Sequence, residues 1–376
     1  MPAGKITIPH AAGVLSAGRV LACLVLGAAV LTVSGGAVPA HAIVGPQAAV
    51  NLGAGTEPRG LALDPVTHSV YVADEGTNAV SVISEANNMV SAVINLPAGS
   101  TSPEGVAWDQ NSDTIWVANN SGTVSVICGA AGVCGALNAV IRTVTISYCG
   151  SGQHPSRVVV DAADHMVYVG LWFGYIVSVS DQNYATSLVY NSLSTTHIDL
   201  GSYDPHTGLL YASAWDKAAI YEISRNNTAT CTAGNNVVGI LNNYNGFNFP
   251  GVPTVPEVNP VTGQLFTGYP STVNNSAALI SYNGLGAPPG VFGWGWTANS
   301  VPADSAVDQA NGEVYFAVGG NGAEITEVNM ATGAIKAPIA GTGINPYGII
   351  VDPADGAGGT VFVSNNGSNT VTVYAA

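Results

Sequence analysis

The fold is decided by the stretch Pro58–Ser84, which reads PRGLALDPVTHSVYVADEGTNAVSVIS. Three short runs within it, Leu61–Asp64, Val70–Ala73 and Val80–Ile83, are rich in β-branched residues and are separated by turns containing Gly, Asn and Asp. Val90–Leu96 adds a fourth run of the same kind. The pattern predicts a unit of four short antiparallel strands.

The unit recurs along the chain. It returns at Pro103–Ile127 and again after Pro346, with four weaker copies between them. The copies align on the residue that ends the first strand of each unit: Asp64, Asp109, Asp161, Asp204, Asn259, Asp308 and Asp352. Successive members of this set are 43 to 55 residues apart, a period typical of propeller blades. The sequence therefore predicts an all-β fold, a seven-bladed β-propeller of four-stranded blades. An acidic residue that recurs at this point in the unit is expected to cap a turn.

The two ends of the repeat region predict how the ring closes. The last copy stops at Tyr374 after its third strand. Ala48–Leu52 is similar to the fourth strand of the first copy. We expect this N-terminal strand to complete the last blade, which would remove an exposed sheet edge.

The repeats also resemble a known family. Val70-Tyr-Val-Ala, Val167-Tyr-Val-Gly and the downstream Asn-x-Val-Ser-Val-Ile pattern are similar to YVTN-repeat β-propellers of the secreted bacterial type, relatives of NHL-like propellers, over about residues 47–376. The resemblance implies the fold and says little about activity, because this architecture carries binding modules, scaffolds and enzymes alike.

The cysteines of the repeat region give two predictions about disulfides. Cys128 and Cys134 flank a predicted hairpin of the second blade, and similar pairs occur in YVTN-type hairpins, so this pair is predicted to be bridged. Cys149 follows a fourth strand and Cys231 follows a third. Strand alternation would place them on opposite faces, so we expect no bridge between them. Cys231 falls in Asn226–Pro250, which is predicted to be an extended loop.

The N-terminal segment predicts export. Residues 1–42 combine Lys5 and Arg19, an apolar run at Val20–Val33 and a small-x-small end at Ala40–Ala42. The apolar run is shorter than the roughly 20 residues that span a bilayer. We expect a signal peptide at 1–42, a propeller at 43–376, and a monomer that leaves through the Sec pathway. It would be extracellular or attached to the cell wall, with no membrane span after cleavage.

The charge of the chain restricts its partners. It has 8 basic and 23 acidic side chains, a formal net charge of −15. Nucleic acids and anionic membranes are bound through Lys and Arg, so we predict no nucleic-acid partner. A protein or a carbohydrate at the cell surface is the expected ligand.

The register of the repeat predicts which side chains meet. Two rings of residues should line one mouth of the central channel. The outer ring is Glu57, Ser102, His154, His197, Val252, Val301 and Asn345. The inner ring is Arg59, Glu104, Ser156, Asp199, Thr254, Ala303 and Tyr347. Imidazoles and carboxylates that converge could bind a divalent metal, with His154, His197, Glu57 and Asp199 as ligands. Polar residues around a solvated mouth are also expected without any metal. No other cofactor is expected.

Aromatic residues are predicted at the same mouth. Trp172 and Phe173 lie in a turn between second and third strands, and Trp215 lies in the equivalent turn of the next blade. Trp296, Tyr347 and Arg59 are expected to approach the same rim. Exposed aromatic rings suit stacking against sugars or apolar peptide groups. The alternative is that the aromatic rings pack between blades.

These observations leave two functions open. The first is a non-catalytic binding or interaction module whose ligand site lies at the channel mouth near the third and fourth blades. The chain lacks Gly-x-Ser-x-Gly, His-Glu-x-x-His and Walker-type motifs, which favours this hypothesis without excluding an enzyme. The second is a metal-dependent propeller enzyme of the lactonase or streptogramin-lyase type that uses the channel histidines and carboxylates.

Overall fold

The computed structural model describes residues 43, 45–149, 153–192, 197–226, 229–232, 236–242, 253–268, 276–282, 290–295, 301–319, 324–336, 338–341, 343–353 and 359–375. The predicted signal peptide at 1–42 lies outside these residues, as does Trp296. Within the described part, no helix is both long and apolar enough to cross a membrane.

The described residues form seven four-stranded antiparallel sheets, which we number in chain order. Sheets 1 to 3 contain β2 (Pro58–Asp64), β3 (Ser69–Asp74), β4 (Ala79–Ser84), β5 (Met89–Asn95); β6 (Pro103–Asp109), β7 (Thr114–Asn119), β8 (Thr123–Cys128), β9 (Val140–Thr145); β10 (Pro155–Asp161), β11 (Met166–Leu171), β12 (Tyr175–Ser180) and β13 (Thr186–Asn191). Sheets 4 and 5 contain β14 (Ile198–Asp204), β15 (Leu209–Ala214), β16 (Ala219–Ser224), β17 (Val237–Leu241); β18 (Glu257–Val258), β19 (Leu265–Gly268), β20 (Ser276–Tyr282) and β21 (Gly290–Gly295). Sheet 6 contains β22 (Val301–Asp308), β23 (Glu313–Gly319), β24 (Glu324–Asn329) and β25 (Ile339–Ala340). Sheet 7 contains β26 (Pro346–Asp352), β27 (Thr360–Asn365), β28 (Thr370–Ala375) and the N-terminal strand β1 (Pro46–Asn51). The prediction of an all-β fold of four-stranded units is confirmed.

The first strands of successive sheets contact one another. Each first strand contacts the first strands of the sheets before and after it, and β26 of the last sheet contacts β2 of the first. The N-terminal strand β1 pairs with β28, with Ala48 opposite Val373 and Val50 opposite Val371.

The hydrophobic core lies between neighbouring sheets. The second strands are almost wholly buried, whereas the fourth strand β5 alternates between exposed and partly buried residues. One core cluster joins Tyr71 and Val80 of sheet 1 to Ile115 and Val117 of sheet 2. The outer strand β5 thus keeps one solvated face, which includes Met89 and Val93, while the inner strands are covered on both faces.

The strand-ending acidic residues cap turns, as predicted. Asp64 Oδ1 accepts a hydrogen bond of 2.9 Å from the backbone N–H of Val66. Asp204 Oδ1 accepts one of 2.9 Å from that of His206. These bonds fix the turn between first and second strands.

Glycines let the first strands approach one another. They occur in a Pro-x-Gly pattern at the start of β2, β6 and β26. A Cβ added at Gly60 would lie 2.6 Å from the Glu104 carbonyl oxygen, and one at Gly348 would lie 2.8 Å from the Arg59 carbonyl oxygen. Only a residue without a side chain permits backbones this close.

We expect Gly105→Ala to destabilise the protein by about 2 kcal/mol or more, because the added methyl would overpack the contact between sheets 2 and 3. The new Cβ would lie 2.5 Å from the Ser156 carbonyl oxygen and 2.8 Å from Arg157 Cα. The free energy of unfolding in urea measures the loss. Gly132→Ala is the control, since Gly132 has a φ of 87° and no atom within 4 Å of the new Cβ. It should cost only about 1 kcal/mol of backbone strain. Equal losses would contradict the crowding argument.

The structure contains two disulfides. The predicted Cys128–Cys134 bridge is confirmed, with a Cα–Cα distance of 5.4 Å. The prediction that Cys149 and Cys231 stay apart is wrong, because they are bridged, with Cα atoms 5.0 Å apart.

The prediction failed because both cysteines lie on long connections that cross the outer strand of sheet 3. Tyr148 donates a hydrogen bond of 2.9 Å from its hydroxyl to Thr186 Oγ1, near the start of β13. Asn191, at the other end of β13, donates one of 2.9 Å from Nδ2 to the Thr230 carbonyl oxygen. Strand alternation fixes the position of a tight hairpin, but a loop of this length can travel along a blade edge to the opposite face.

Candidate functional site

The first strands begin around a cavity of about 490 Å³, which we call the mouth cavity. Its lining residues are Arg59, Glu104, Arg157, Trp172, Asp199, Trp215, Pro253, Thr254, Val255, Pro302, Ala303 and Tyr347. Six of the seven residues of the predicted inner ring are among them. The cavity is within the size range of small-molecule sites.

Arg157 takes the place that the register assigned to Ser156. A β-bulge between Pro155 and Arg157 inserts one extra residue into β10. Ser156 is buried, with 1% of its surface exposed. Arg157 lies at the next position of the repeat, where β2, β6 and β26 have Gly60, Gly105 and Gly348.

Below the mouth lies a second cavity of about 330 Å³, lined by the first strands, which we call the channel cavity. Arg157 lines both cavities. Arg157 Nη1 lies 3.4 Å from Asp304 Oδ2. Burial and the nearby Asp304 charge raise the pKa of Glu257 to about 8, although Arg157 opposes the shift.

Four side chains from four sheets form a connected group on one side of the mouth. The guanidinium of Arg59 lies 4.4 Å from the ring centroid of Tyr347. The Tyr347 hydroxyl donates a hydrogen bond of 2.5 Å to Glu104 Oε1, and Trp172 Nε1 donates one of 3.3 Å to Glu104 Oε2. Burial raises the pKa of Glu104 above its usual value, although the bond from Tyr347 and the nearby arginines oppose the shift.

A second carboxylate orients the other tryptophan. Trp215 Nε1 donates a hydrogen bond of 2.9 Å to Asp199 Oδ2. Burial raises the pKa of Asp199 above its usual value, opposed by Arg157 and by this bond. Trp172, Trp215 and Asp199, together with His197 and Ile198, bound a smaller cavity of about 200 Å³, which we call the indole slot.

The predicted aromatic rim is exposed at the mouth. Trp172, Phe173 and Trp215 keep 40%, 42% and 47% of their surface exposed. The alternative in which these aromatic rings are buried between blades therefore does not hold. Tyr347 is partly buried and lines the cavity with Arg59.

The four residues predicted as metal ligands do not come together as a ligand set. His154 Nδ1 contacts the Asn120 side-chain oxygen, His197 Nδ1 lies 3.9 Å from Asp216 Oδ1, and Glu57 is exposed. Across the described residues, none of the four belongs to a group of three ligand atoms within 4.8 Å of one another. The one such group there is His68, Glu85 and Asp352, in the turns at the other end of the strands.

His154 and His197 occupy equivalent positions of the repeat, and both make the same hydrogen bond through the backbone. The His154 carbonyl oxygen accepts a hydrogen bond of 3.0 Å from the Trp172 N–H, and that of His197 accepts one of 3.0 Å from the Trp215 N–H. Ser102 and Asn345, at the same position of the repeat, accept equivalent bonds. The position thus anchors the turn that carries the rim, whatever its side chain.

Two residues of the site were missed in the sequence. Glu104 was placed on the inner ring without a role, although it holds both Tyr347 and Trp172. Arg157 was absent from the ring because it lies at the next position of the repeat. The arginine that stands where β2, β6 and β26 have the glycine of the Pro-x-Gly pattern is the signal that could have found it.

The sequence matches no protein-family model and no curated protein. Solved structures share the fold. Hydrazine synthase from Kuenenia stuttgartiensis is 14% identical with a TM-score of 0.67, covering 89% of this chain and 99% of that one. Virginiamycin B lyase from Staphylococcus aureus is 13% identical with a TM-score of 0.64, covering 88% and 98%. The Cps50 (Swd1) β-propeller domain from Myceliophteria thermophila is 9% identical with a TM-score of 0.63, covering 88% and 100%. At these identities the likeness shows a β-propeller fold with four-stranded blades and no more.

Proposed function

We propose that this chain is an exported β-propeller of the YVTN-repeat type that acts as a non-catalytic binding module through its mouth cavity. The seven sheets are its seven blades, and β1 closes the ring by completing the last one. The pairing of β1 with β28 and the contact of β26 with β2 support closure.

Export is supported by the cysteines, and the type of ligand is supported by the charge. Four cysteines form two disulfides, which persist in oxidising compartments. The signal peptide at 1–42 and a monomeric state belong to the same proposal. The formal net charge of −15 supports a protein or carbohydrate ligand at the cell surface rather than a nucleic acid.

One observation carries the binding function: two exposed tryptophans stand at the rim with their indole N–H groups held by buried or partly buried carboxylates. Hydrogen bonds from Trp172 to Glu104 and from Trp215 to Asp199 fix both rings. Fixed aromatic surface loses little conformational entropy when a ligand binds. Exposed, oriented tryptophans are therefore suited to contact a ligand rather than to fill a core.

The test begins with glycan and peptide arrays probed with the exported protein. For a retained ligand, we expect Trp172→Ala and Trp215→Ala each to weaken binding by about 10- to 100-fold, as truncation of a central aromatic contact does. Leu137→Ala is the control, since Leu137 is 48% exposed in a hairpin at the other end of the strands. It should leave affinity unchanged. If neither tryptophan matters, the ligand does not bind at the mouth.

The alternative is a metal-dependent enzyme of the lactonase or streptogramin-lyase type. The structural likeness to a virginiamycin B lyase favours it. The ring of Phe173 lies 5.1 Å from the His154 ring and 5.9 Å from the His197 ring. His154, His197, Glu57 and Asp199 do not converge as a ligand set, so no metal step is derived. A stoichiometric ion found by elemental mass spectrometry and lost in His154→Ala would favour the enzyme.

A further inference from the structure

We propose that the mouth cavity is selective for organic cations, binding a primary ammonium group between Glu104 and Asp199 with the attached apolar or ring-shaped body against Trp172 and Trp215. The inference rests on the proposed binding function and names the chemical class of its ligand.

The first argument is the charge of the cavity walls. The two arginines at the mouth already have acidic partners, since Arg59 pairs with Glu75 at 2.5 Å and Arg157 pairs with Asp304 at 3.4 Å. Among the described residues, Glu104 and Asp199 form no ion pair within 4 Å. Their hydrogen bonds come from the neutral donors Tyr347, Trp172 and Trp215. The lining itself has two arginines and two carboxylates, and counting the partners Glu75 and Asp304 makes the charge around the cavity negative when Glu104 and Asp199 are ionised. A ligand cation would balance that charge.

The second argument is the state of the aromatic rings. Tyr347 already has the Arg59 guanidinium at 4.4 Å and that of Arg157 at 5.8 Å from its ring centroid. Trp172 and Trp215 have no cationic partner within the described part of the chain, although tryptophan is the strongest cation–π acceptor. A carboxylate that accepts the indole N–H adds electron density to the ring and strengthens this attraction.

The third argument is geometry. The indole slot is bounded by both tryptophans and by Asp199, and it adjoins the mouth cavity, which Glu104 also lines. An ammonium group where the slot meets the mouth cavity would lie between Asp199 and Glu104, beside the two indole rings. A carboxylate ligand there would meet the same two acidic groups and be repelled.

The experiment uses three small probes that share a phenyl ring: 2-phenylethylamine, 2-phenylethanol and 3-phenylpropionate. Tryptophan fluorescence and isothermal titration at neutral pH and low ionic strength give their affinities for the intact exported protein. We expect the amine to bind at least about tenfold more tightly than the alcohol, and the propionate to bind least. Added salt should reduce the preference for the amine.

Matched amide variants locate the selectivity. Asp199→Asn and Glu104→Gln both remove the charge, and Asp199→Asn keeps an oxygen that accepts the bond from Trp215. Glu104→Gln keeps one acceptor oxygen for Trp172, while its NH2 group can donate to the Tyr347 hydroxyl. Each should lower amine affinity by about tenfold and change alcohol affinity by less than about twofold. Asp216→Asn is the control, because Asp216 lies on the same face with its side chain 49% exposed, outside the lining of the mouth cavity and the indole slot. Asparagine keeps an oxygen that can accept the hydrogen bond from the His197 N–H. It should change neither affinity by more than about twofold.

The outcomes separate the two proposals. Binding of the alcohol or the propionate as tightly as the amine would overturn cation selectivity and leave the mouth cavity as a ligand site. An equal loss in Asp216→Asn and Asp199→Asn would assign the preference to the general surface field and overturn the inference as well. If none of the three probes binds, the cation site fails, and the array experiment with its tryptophan variants decides the binding function separately.

Discussion

Removing the Cys149–Cys231 bridge is expected to lower the free energy of unfolding by about 4 kcal/mol. The two cysteines are 82 residues apart in sequence. The entropy that a cross-link removes from the unfolded chain grows with the length of the loop it closes. This bridge connects the segment after sheet 2 to the loop of sheet 4, so it also holds both connections against the edge of sheet 3.

The other disulfide provides a control of the same chemistry. Cys128 and Cys134 are six residues apart, and the same relation gives about 2 kcal/mol for their bridge. We compare Cys149→Ala/Cys231→Ala with Cys128→Ala/Cys134→Ala by urea unfolding in oxidising buffer. In reductant, the free energy of unfolding of the unmodified protein should fall by the contributions of both bridges. A loss for the long-range pair no larger than that for the hairpin pair would contradict the expectation.

The sequence predicted the fold well because the repeat carries its own register. The seven strand-ending positions found by spacing mark the first turns of seven sheets, and six of them are the last residues of β2, β6, β10, β14, β22 and β26. The same register placed Arg59, Asp199 and Tyr347 around one cavity. Side-chain alternation and a repeat period suffice for this, since both are fixed by strand geometry.

The parts that the sequence did not predict depend on departures from the repeat. Arg157 lines the mouth from the position where β2, β6 and β26 have glycine, and Ser156 does not line it. The Cys149–Cys231 bridge depends on the path of two long loops, which strand alternation does not describe. The metal hypothesis rested on position alone, and the directions of the His154 and His197 side chains are set by Asn120 and Asp216, which lie outside the predicted rings.

The last residue of the second strand is equivalent in sheets 1, 2 and 7, and in sheet 1 it carries a charge that destabilises the folded state. In sheets 2 and 7 this position is Asn119 and Asn365, both buried, whose Nδ2 atoms donate hydrogen bonds of 2.9 Å to Ser125 Oγ and Thr372 Oγ1. In sheet 1 the same position is Asp74, which is 1% exposed.

Asp74 accepts a hydrogen bond of 2.6 Å from Ser81 Oγ to Oδ2. Its Oδ1 atom has no hydrogen-bond partner among the described residues. Burial raises the pKa of Asp74 to about 7, although the hydrogen bonds from Ser81 oppose the shift. The folded state therefore retains a proton that the unfolded chain, with a pKa near 3.9, has already released.

We expect Asp74→Asn to stabilise the protein at pH 8 by on the order of 3 kcal/mol and to have little effect at pH 4. When the folded state binds more protons than the unfolded state, the free energy of unfolding falls as pH rises. For Asp74 this fall extends from about pH 4 to about pH 7 and then stops, because both states are ionised above it. An asparagine does not titrate, and Asn119 and Asn365 indicate that an amide fits this position. Urea unfolding of both proteins at several pH values measures the difference.

Asp216→Asn, at a half-exposed acidic residue, should shift stability by less than about 0.5 kcal/mol at every pH. The stability difference between Asp74→Asn and the unmodified protein could instead stay constant from pH 4 to pH 8. That result would show that Asp74 is ionised in the folded state throughout, and the argument from burial would be wrong.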